Sequence, residues 1–380
     1  MGSTFGETLR VTVFGQSHSA AIGCVVEGLP AGFEPDLDAL AAFMARRAPG
    51  RDPWSTPRRE ADSVRIVSGL NDRGETCGAP LAALIENTSH RSSDYDLLAR
   101  VPRPSHADLT AQARWDGHQD VRGGGHFSGR LTAPVCAAGG IALQLLAARG
   151  VRIGAHLLQV ADVTDEPFAA LDLDDASQAR LGEQLDALAD GRTFPCILGE
   201  SGIGMAEAIA AAREAGDSVG GIVECVACGM PMGVGGPMFD GIESAIARIA
   251  FGIPAVKGIE FGAGFTAALM RGSEHNDPYA PSDAGLPHPT KNDAGGNLGG
   301  ITTGAPVLFR MAVKPTSSIA QPQDSVDLTT GEQVTLEVPG RHDPCIAPRA
   351  VPVAEAVMAL ALLDSWLTYP PHASASGMGW

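Results

Sequence analysis

Two histidines stand in short polar loops between strand-like segments: His18 in Gly15-Gln-Ser-His-Ser19 and His106 in Arg103-Pro-Ser-His-Ala-Asp108. Imidazole is the side chain best suited to moving a proton near neutral pH. A serine precedes each histidine, Ser17 and Ser105. Asp108 lies two residues beyond His106, on the same side if that segment is extended, where it could orient the ring. A third group is Arg341-His342-Asp343-Pro344, a cation, an imidazole and a carboxylate ahead of an apolar helix pattern. The residue before a proline is held extended, so Asp343 belongs to a stiff loop, where folds often carry chemistry. Taken alone, that stretch also reads as a surface turn with a helix cap.

Arginines gather next. Arg46, Arg47, Arg51, Arg58, Arg59 and Arg65 fall close together in an acidic chain. Their planar forks suit carboxylate and phosphate. A helix macrodipole accounts for Arg46 and Arg47 at a helix end but not for Arg51, Arg58 and Arg59, so an anion site is the better reading. Gly123-Gly-Gly-His-Phe-Ser-Gly-Arg130 precedes a helix pattern at Leu131, and its amides could face an anion. A second glycine-rich run spans Asn292 to Gly300; neither run is a dinucleotide fingerprint or a P-loop. Lys314-Pro-Thr-Ser-Ser318 adds a cation and three hydroxyls. The shared theme is a small, highly anionic substrate and proton transfer by histidines and a carboxylate. A phosphate-handling lyase and a small-molecule kinase both fit it.

The elements that must position these groups follow from period and punctuation. Leu9–Phe14, Ala21–Glu27, Val64–Ser68 and Pro80–Asn87 read as strands, with a helix from the Asp36 cap to about Arg47. Residues 51–62 read as a mobile loop, and 89–125 has no periodicity. Leu131–Arg149 is a strong helix pattern and Val151–Val163 a strand region. The acidic stretch 162–190 reads as a solvated face or helical excursion. Helices at 206–214, 242–251 and 353–367 alternate with strands at 221–228, 256–261, 305–313 and 334–338. Residues 19–32 echo 218–233, and 124–135 echo 295–307, which suggests an internal duplication. No linker divides the chain, so residues 1–369 read as one α+β domain with a pseudo-repeat and 370–380 as a loose tail.

Of the 380 residues, 44% are apolar and 19% charged, as in a globular protein with a large core. The net charge of −17 argues against nucleic-acid or anionic-membrane partners. Seven scattered cysteines make no disulfide framework, and Cys225 and Cys228, on a strand, point to opposite faces, so no metal is expected there. No signal peptide opens the chain and no apolar run approaches membrane-spanning length, so a cytoplasmic protein is expected.

Several stretches together resemble chorismate synthase, from about Phe5 to Leu367. They are Phe14-Gly-Gln-Ser-His-Ser through Pro30, Arg46-Arg-Ala-Pro-Gly50, Ile85-Glu-Asn-Thr88, Arg103-Pro-Ser-His-Ala-Asp108, Val121-Arg-Gly-Gly-Gly125, Lys314-Pro-Thr-Ser-Ser318 and Gly340-Arg-His-Asp-Pro-Cys345. The resemblance implies a β-α-β sandwich assembling as a homotetramer. It implies a carbon-oxygen lyase of aromatic amino-acid biosynthesis (the shikimate pathway) that eliminates phosphate from 5-enolpyruvylshikimate 3-phosphate. That anti-1,4-elimination gives chorismate and needs reduced FMN without net redox change. With no reductase domain in sight, reduced flavin is expected from an external flavin reductase, with NADPH only an indirect reductant.

The resemblance also implies roles. His18 protonates the leaving phosphate, His106 partners the flavin, Asp343 helps free a flavin nitrogen for the ring hydrogen, and Ser17 and Ser128 relay protons. Arg46, Arg47, Arg51, Arg103, Arg130 and Arg341 surround the substrate anions, with an NADP contact at Arg47. FMN contacts fall on His126, Phe127, Ser128, Pro254, Ala255, Gly299, Lys314, Pro315, Thr316, Ser317, Ser318 and Arg341. The chain departs from the family pattern at Gln16, Ser19, Pro53, His126, Phe127 and Asp293. A small-molecule kinase of the GHMP type and a non-catalytic flavin- or anion-binding relative are the competing classes.

Overall fold

In a computed structural model, the described residues are 2–50, 54, 62–87, 96–189, 194–282, 285–338 and 343–372. Expectations placed on Arg51, Pro53, Arg58, Arg59, Arg341, His342 and residues 373–380 lie outside them.

The first half opens with β1 (Thr4–Phe5), β2 (Arg10–Phe14), β3 (Ala21–Glu27), α1 (Leu37–Arg47), β4 (Arg65–Ser68) and β5 (Leu81–Glu86). The strands form an antiparallel sheet in the order β1-β2-β3-β5-β4. Strand alternation buries Ile22, Cys24 and Val26 on β3 and Leu81, Ala83 and Ile85 on β5. Asp36 caps α1 as its position predicts, accepting the Asp38 and Ala39 N–H groups at 2.9 Å. The stretch without periodicity holds α2 (Asp96–Arg100) and α3 (Asp108–Trp115). Each is too short for an apolar repeat to show. The helix α4 (Thr132–Ala147) follows.

The second half runs β6 (Arg152–Val160), β7 (Val163–Thr164), α5 (Asp175–Ala189), α6 (Gly199–Glu214), β8 (Gly221–Cys228), α7 (Ile242–Ala250), β9 (Val256–Phe261) and α8 (Gly272–His275). Two short hairpins follow, β10–β11 (Tyr279–Ala280 and His288–Pro289) and β12–β13 (Asn297–Leu298 and Ile301–Thr302). Then come β14 (Val307–Val313), the hairpin β15–β16 (Gln323–Val326 and Gln333–Leu336) and α9 (Ala347–Thr368). The second sheet has the order β7-β6-β8-β14-β9.

The two sheets repeat one plan. The series β2, β3, α1, β4, β5, α4 matches β6, β8, α7, β9, β14, α9, and the strand orders β2-β3-β5-β4 and β6-β8-β14-β9 correspond. The echo between 19–32 and 218–233 falls on equivalent strands, β3 and β8. The echo between 124–135 and 295–307 does not, because the first runs into helix α4 and the second into strand β14. A glycine turn followed by small apolar residues is compatible with either element.

Helix α4 packs on the first sheet, α9 on the second, and the two helices pack on each other between them. A Cβ at Gly139 would stand 2.3 Å from that of Ala356, so glycine is what lets the helices approach this closely. One apolar core runs through both sheets and both helices. α9 starts at Ala347, six residues before the expected Val353, and keeps Pro352 inside it. An interior proline costs about 3 kcal/mol, which the burial of nearly the whole helix outweighs. By length and composition α9 and the segment Arg122–Ala147 could each cross a membrane, which corrects the expectation that no apolar run approaches that length. Both are instead mostly buried within this fold.

The acidic excursion is helical in part, as α5, but it is not simply a solvated face. Leu181 and Leu185 of α5 pack with Phe168, Val226 and Leu308 on the second sheet. Asp165 is buried and accepts the Ile197 and Leu198 N–H groups at 2.5 and 3.0 Å.

Candidate active site

The triple glycine Gly123-Gly124-Gly125 is the meeting point. All three have positive φ, which glycine adopts without strain. A Cβ on Gly123 would lie 2.3 Å from His18 Cε1 and 2.7 Å from Ser17 Oγ. A Cβ on Gly124 would lie 3.1 Å from both Cε1 and Nε2 of His106. Two histidines far apart in sequence therefore face one turn, and Ser17 N–H donates to Gly125 O at 3.0 Å.

The His18 loop is held from both ends. Ser19 Oγ donates to Ala21 O at 2.7 Å and accepts the Gln16 N–H at 3.0 Å, so the serine closes its own turn. Asn87, at the end of β5, donates from Nδ2 to Ser19 O at 2.8 Å. His18 and Ser17 are buried within this loop.

His106 is oriented by Asp108, but not through an extended segment. Ser105 sits at φ +56° and Asp108 opens α3, so a tight turn brings the carboxylate back to the ring. Nδ1 lies 2.6 Å from Asp108 Oδ1. Arg103 clamps the same carboxylate, Nε to Oδ2 at 2.7 Å and Nη2 to Oδ1 at 2.9 Å. Burial opposes ionisation of Asp108, yet hydrogen bonds from Arg103 and His106 outweigh it and hold the carboxyl well below its usual range. An ionised carboxylate only accepts, so Nδ1 carries a proton and Nε2 is left facing the glycine turn.

The Lys314–Ser318 segment joins this cluster. Arg103 Nη1 donates to Ser318 Oγ at 3.1 Å, Ser317 Oγ donates to Ser105 O at 2.9 Å, and Lys314 Nζ donates to Ser317 Oγ at 2.8 Å. The Lys314 N–H binds Ala255 O at 2.9 Å, which brings Ala255 (φ +73°) and its neighbour Pro254 to the same edge. Burial, then repulsion from Lys257, lowers the Lys314 pKa.

The arginines divide. Arg47 is 1% exposed, and its fork is taken up inside the fold. Nε donates to Asp62 Oδ2 at 3.0 Å and Nη1 to Thr132 Oγ1 at 2.9 Å. The Arg47 fork is thus engaged with Asp62 and Thr132, beside Arg130. Asp62 also binds Arg130, whose Nε donates to Asn87 Oδ1 at 3.1 Å. Burial opposes the Asp62 charge, but the two guanidiniums keep its carboxyl below the ordinary range. Arg46, partly exposed, holds the buried Glu355 carboxylate with both nitrogens at 2.6 and 2.7 Å. Ser128 Oγ accepts the Arg130 N–H at 3.3 Å, and Asp343 Oδ2 accepts from Arg349 Nη1 at 2.7 Å.

Of the other expected flavin contacts, His126 adjoins the His18 loop. Both ring nitrogens of His126 are engaged, Nδ1 with Gly15 O and Nε2 with Ser3 Oγ, each at 2.8 Å. Phe127 packs on Trp115. Gly299 turns the β12–β13 hairpin, and no hydrogen bond among the described residues ties it to the histidine loops. Among the described residues no cluster of His, Cys, Asp or Glu is placed to hold a metal. All seven cysteines are unbridged, and burial pushes the Cys24, Cys136 and Cys345 thiols up to about 12.

The model of the chorismate synthase family matches residues 9–367. The chain belongs to the chorismate synthase family. It is 47% identical to a chorismate synthase of Lancefieldella parvula, over 97% of each chain. It is 45% identical to one of Korarchaeum cryptofilum, over 96% of this chain and 97% of the other. A crystal structure of a chorismate synthase shares the fold at 24% identity, with a TM-score of 0.73 over 96% of this chain and 93% of the other. Within this chorismate synthase-like frame, reading the sequence alone missed Asp62, Asn87 and Arg349. Asn87 lay within the Ile85-Glu-Asn-Thr88 motif without a role, and that motif is the one signal that could have found it.

Proposed function

We propose that the chain catalyses the elimination of phosphate from 5-enolpyruvylshikimate 3-phosphate to give chorismate, the step that feeds aromatic amino-acid synthesis. The observation that carries this reading, beside family membership, is that His18 and His106 face a single glycine turn. An elimination of this type needs an acid for the leaving phosphate and a base or acceptor for a ring hydrogen, and the two histidine loops place such groups side by side.

The donors around Lys314–Ser318 fit FMN. Thr316 Oγ1 is buried with no hydrogen-bond partner among the described residues, a hydroxyl in want of an acceptor or donor. Lys314 brings a cation to the same edge. Lys314 through Ser318, with Ala255 and Pro254, are the residues that would hold the cofactor. When bound, reduced FMN would supply the electron density that breaking the C–O bond to phosphate requires when the departing ring hydrogen is unactivated.

The chain's own residues do the rest. His18, backed by Ser17, holds a proton for the departing phosphate. His106 presents Nε2 because Asp108 fixes the proton on Nδ1. Arg130 meets a substrate anion from a position set by Asp62 and Asn87. Arg47 acts from below by locking Asp62. Asp343 serves as the carboxylate of proton transfer, and Ser128 lies where Arg130 begins its turn. The reading includes a homotetramer, a cytoplasmic setting that keeps the seven thiols reduced, and reduced flavin from an external reductase.

In anaerobic assays with reduced FMN, His106→Ala and Asp343→Asn are each expected to lose more than about tenfold in kcat. Wild-type turnover in either variant would remove that residue from the mechanism. ATP-dependent phosphorylation by the wild type would favour the kinase class, and binding of flavin without turnover the non-catalytic one.

A further inference from the structure

We propose that Arg349 is a positioning residue that fixes the Asp343 carboxylate against the arginine cluster at the end of α1; this rests on the reading of Asp343 as the proton-transfer carboxylate. Arg349 stands in the first turn of α9. Its Nη1 donates to Asp343 Oδ2 at 2.7 Å, and its Nε donates to the backbone oxygen of Arg47 at 3.1 Å. Both side chains of the ion pair are largely shielded, 20% and 14% exposed.

The bond to Arg47 extends the pair into a continuous chain. Arg47 binds Asp62, Asp62 binds Arg130, and Arg130 binds Asn87, which holds the His18 loop. One hydrogen-bonded path therefore runs from Asp343 on the α9 side to the loop that carries His18. Asp343 otherwise sits between elements, followed by Pro344, whose oxygen accepts the Val219 N–H at 2.9 Å. A proton-transfer group works only when held close to its productive geometry, and a guanidinium bonded to Asp343 by one nitrogen and to the Arg47 carbonyl by another supplies that hold.

The placement also runs against local preference. A cation in the first turn of a helix faces the positive end of the macrodipole. Sequence rules broken locally, with a shielded ion-pair partner to explain them, point to a site requirement.

The test is a double-mutant cycle in the anaerobic assay with reduced FMN. R349M is expected to lower kcat at least about tenfold with KM changed less than about twofold, because the interaction acts on the chemical step. R349K keeps the charge but not the second anchor and is expected to fall between wild type and R349M. In the Asp343→Asn background, R349M should change kcat by less than about twofold, since the two act as one unit. Losses that multiply in the double variant, or wild-type kcat in R349M, would overturn the proposal. Should R349M fail to fold by thermal melting, the same cycle with R349K gives the same decision. A wild type without turnover removes the reading of Asp343 and this role with it; an active wild type with multiplying losses removes the role of Arg349 alone.

Discussion

His106 and Asp108 are two residues apart, and a turn through Ser105 places the imidazole Nδ1 2.6 Å from the Asp108 carboxylate. The pair is closed by Arg103, so the ring has one orientation. Everything proposed for His106 depends on that hold.

Asp108→Asn keeps the shape of the side chain but lets an amide face Nδ1, so the proton is no longer confined to that nitrogen. A loss of at least about tenfold in kcat at neutral pH is expected. The sign for stability follows from the lowered carboxyl. Its contribution is present above the unfolded pKa, about 3.9, and is lost as pH falls through the folded value. The melting difference between wild type and Asp108→Asn should therefore be full at pH 7 and shrink in strong acid. A difference that stays constant from pH 7 to the acid limit would show that the charge is not what matters.

Gly123→Ala sets a Cβ 2.3 Å from His18 Cε1 at a backbone φ of +59°. The ring or the turn must move, and kcat is expected to fall at least about tenfold while the protein still folds. Gly182 in α5 is the control: nothing lies within 4 Å of its Cβ position, and Gly182→Ala should gain about 0.5–1 kcal/mol with activity unchanged. Urea melts and initial rates on both variants check this. Full activity in Gly123→Ala would mean that His18 does not need the glycine.

His156 is fully buried between Asp165 and Glu224, at 3.1 and 3.0 Å, and Arg310 completes the cluster by donating to Glu224 at 2.7 Å. Burial disfavours the charged ring, but hydrogen bonds from the ring to both carboxylates raise its pKa. A raised folded pKa gives stability that is complete below the unfolded value, about 6.5, and is lost as pH climbs through the folded one. His156→Gln should lose most relative to wild type at pH 6 and progressively less in alkali. Chemical denaturation from pH 5 to 9 measures it; a penalty that grows with pH would contradict the buried imidazolium.

Much of this was legible in the chain and some was not, for identifiable reasons. β3 and β8 could be read to the residue because their apolar runs end at Gly28 and Gly229. The α9 start could not, because Pro352 looks like a helix stop until the burial around it is known. α2 and α3 are too short for periodicity to betray them. Of the site, His18, His106 and Asp108 stood out by type and spacing. Asp62 did not, since a single carboxylate in a polar stretch looks solvated until two arginines close on it. Nor was the pairing of Arg47 legible, since nothing in its sequence neighbourhood shows that its fork meets Asp62 and Thr132.

The most direct measurement is a multiple-turnover reaction of the purified wild type with 5-enolpyruvylshikimate 3-phosphate and sub-stoichiometric reduced FMN, kept anaerobic. Chorismate, phosphate and flavin absorbance are followed together. Equimolar chorismate and phosphate, many per flavin, with the flavin still reduced at the end, is the predicted result. No chorismate, or one flavin oxidised for each product formed, would contradict the account.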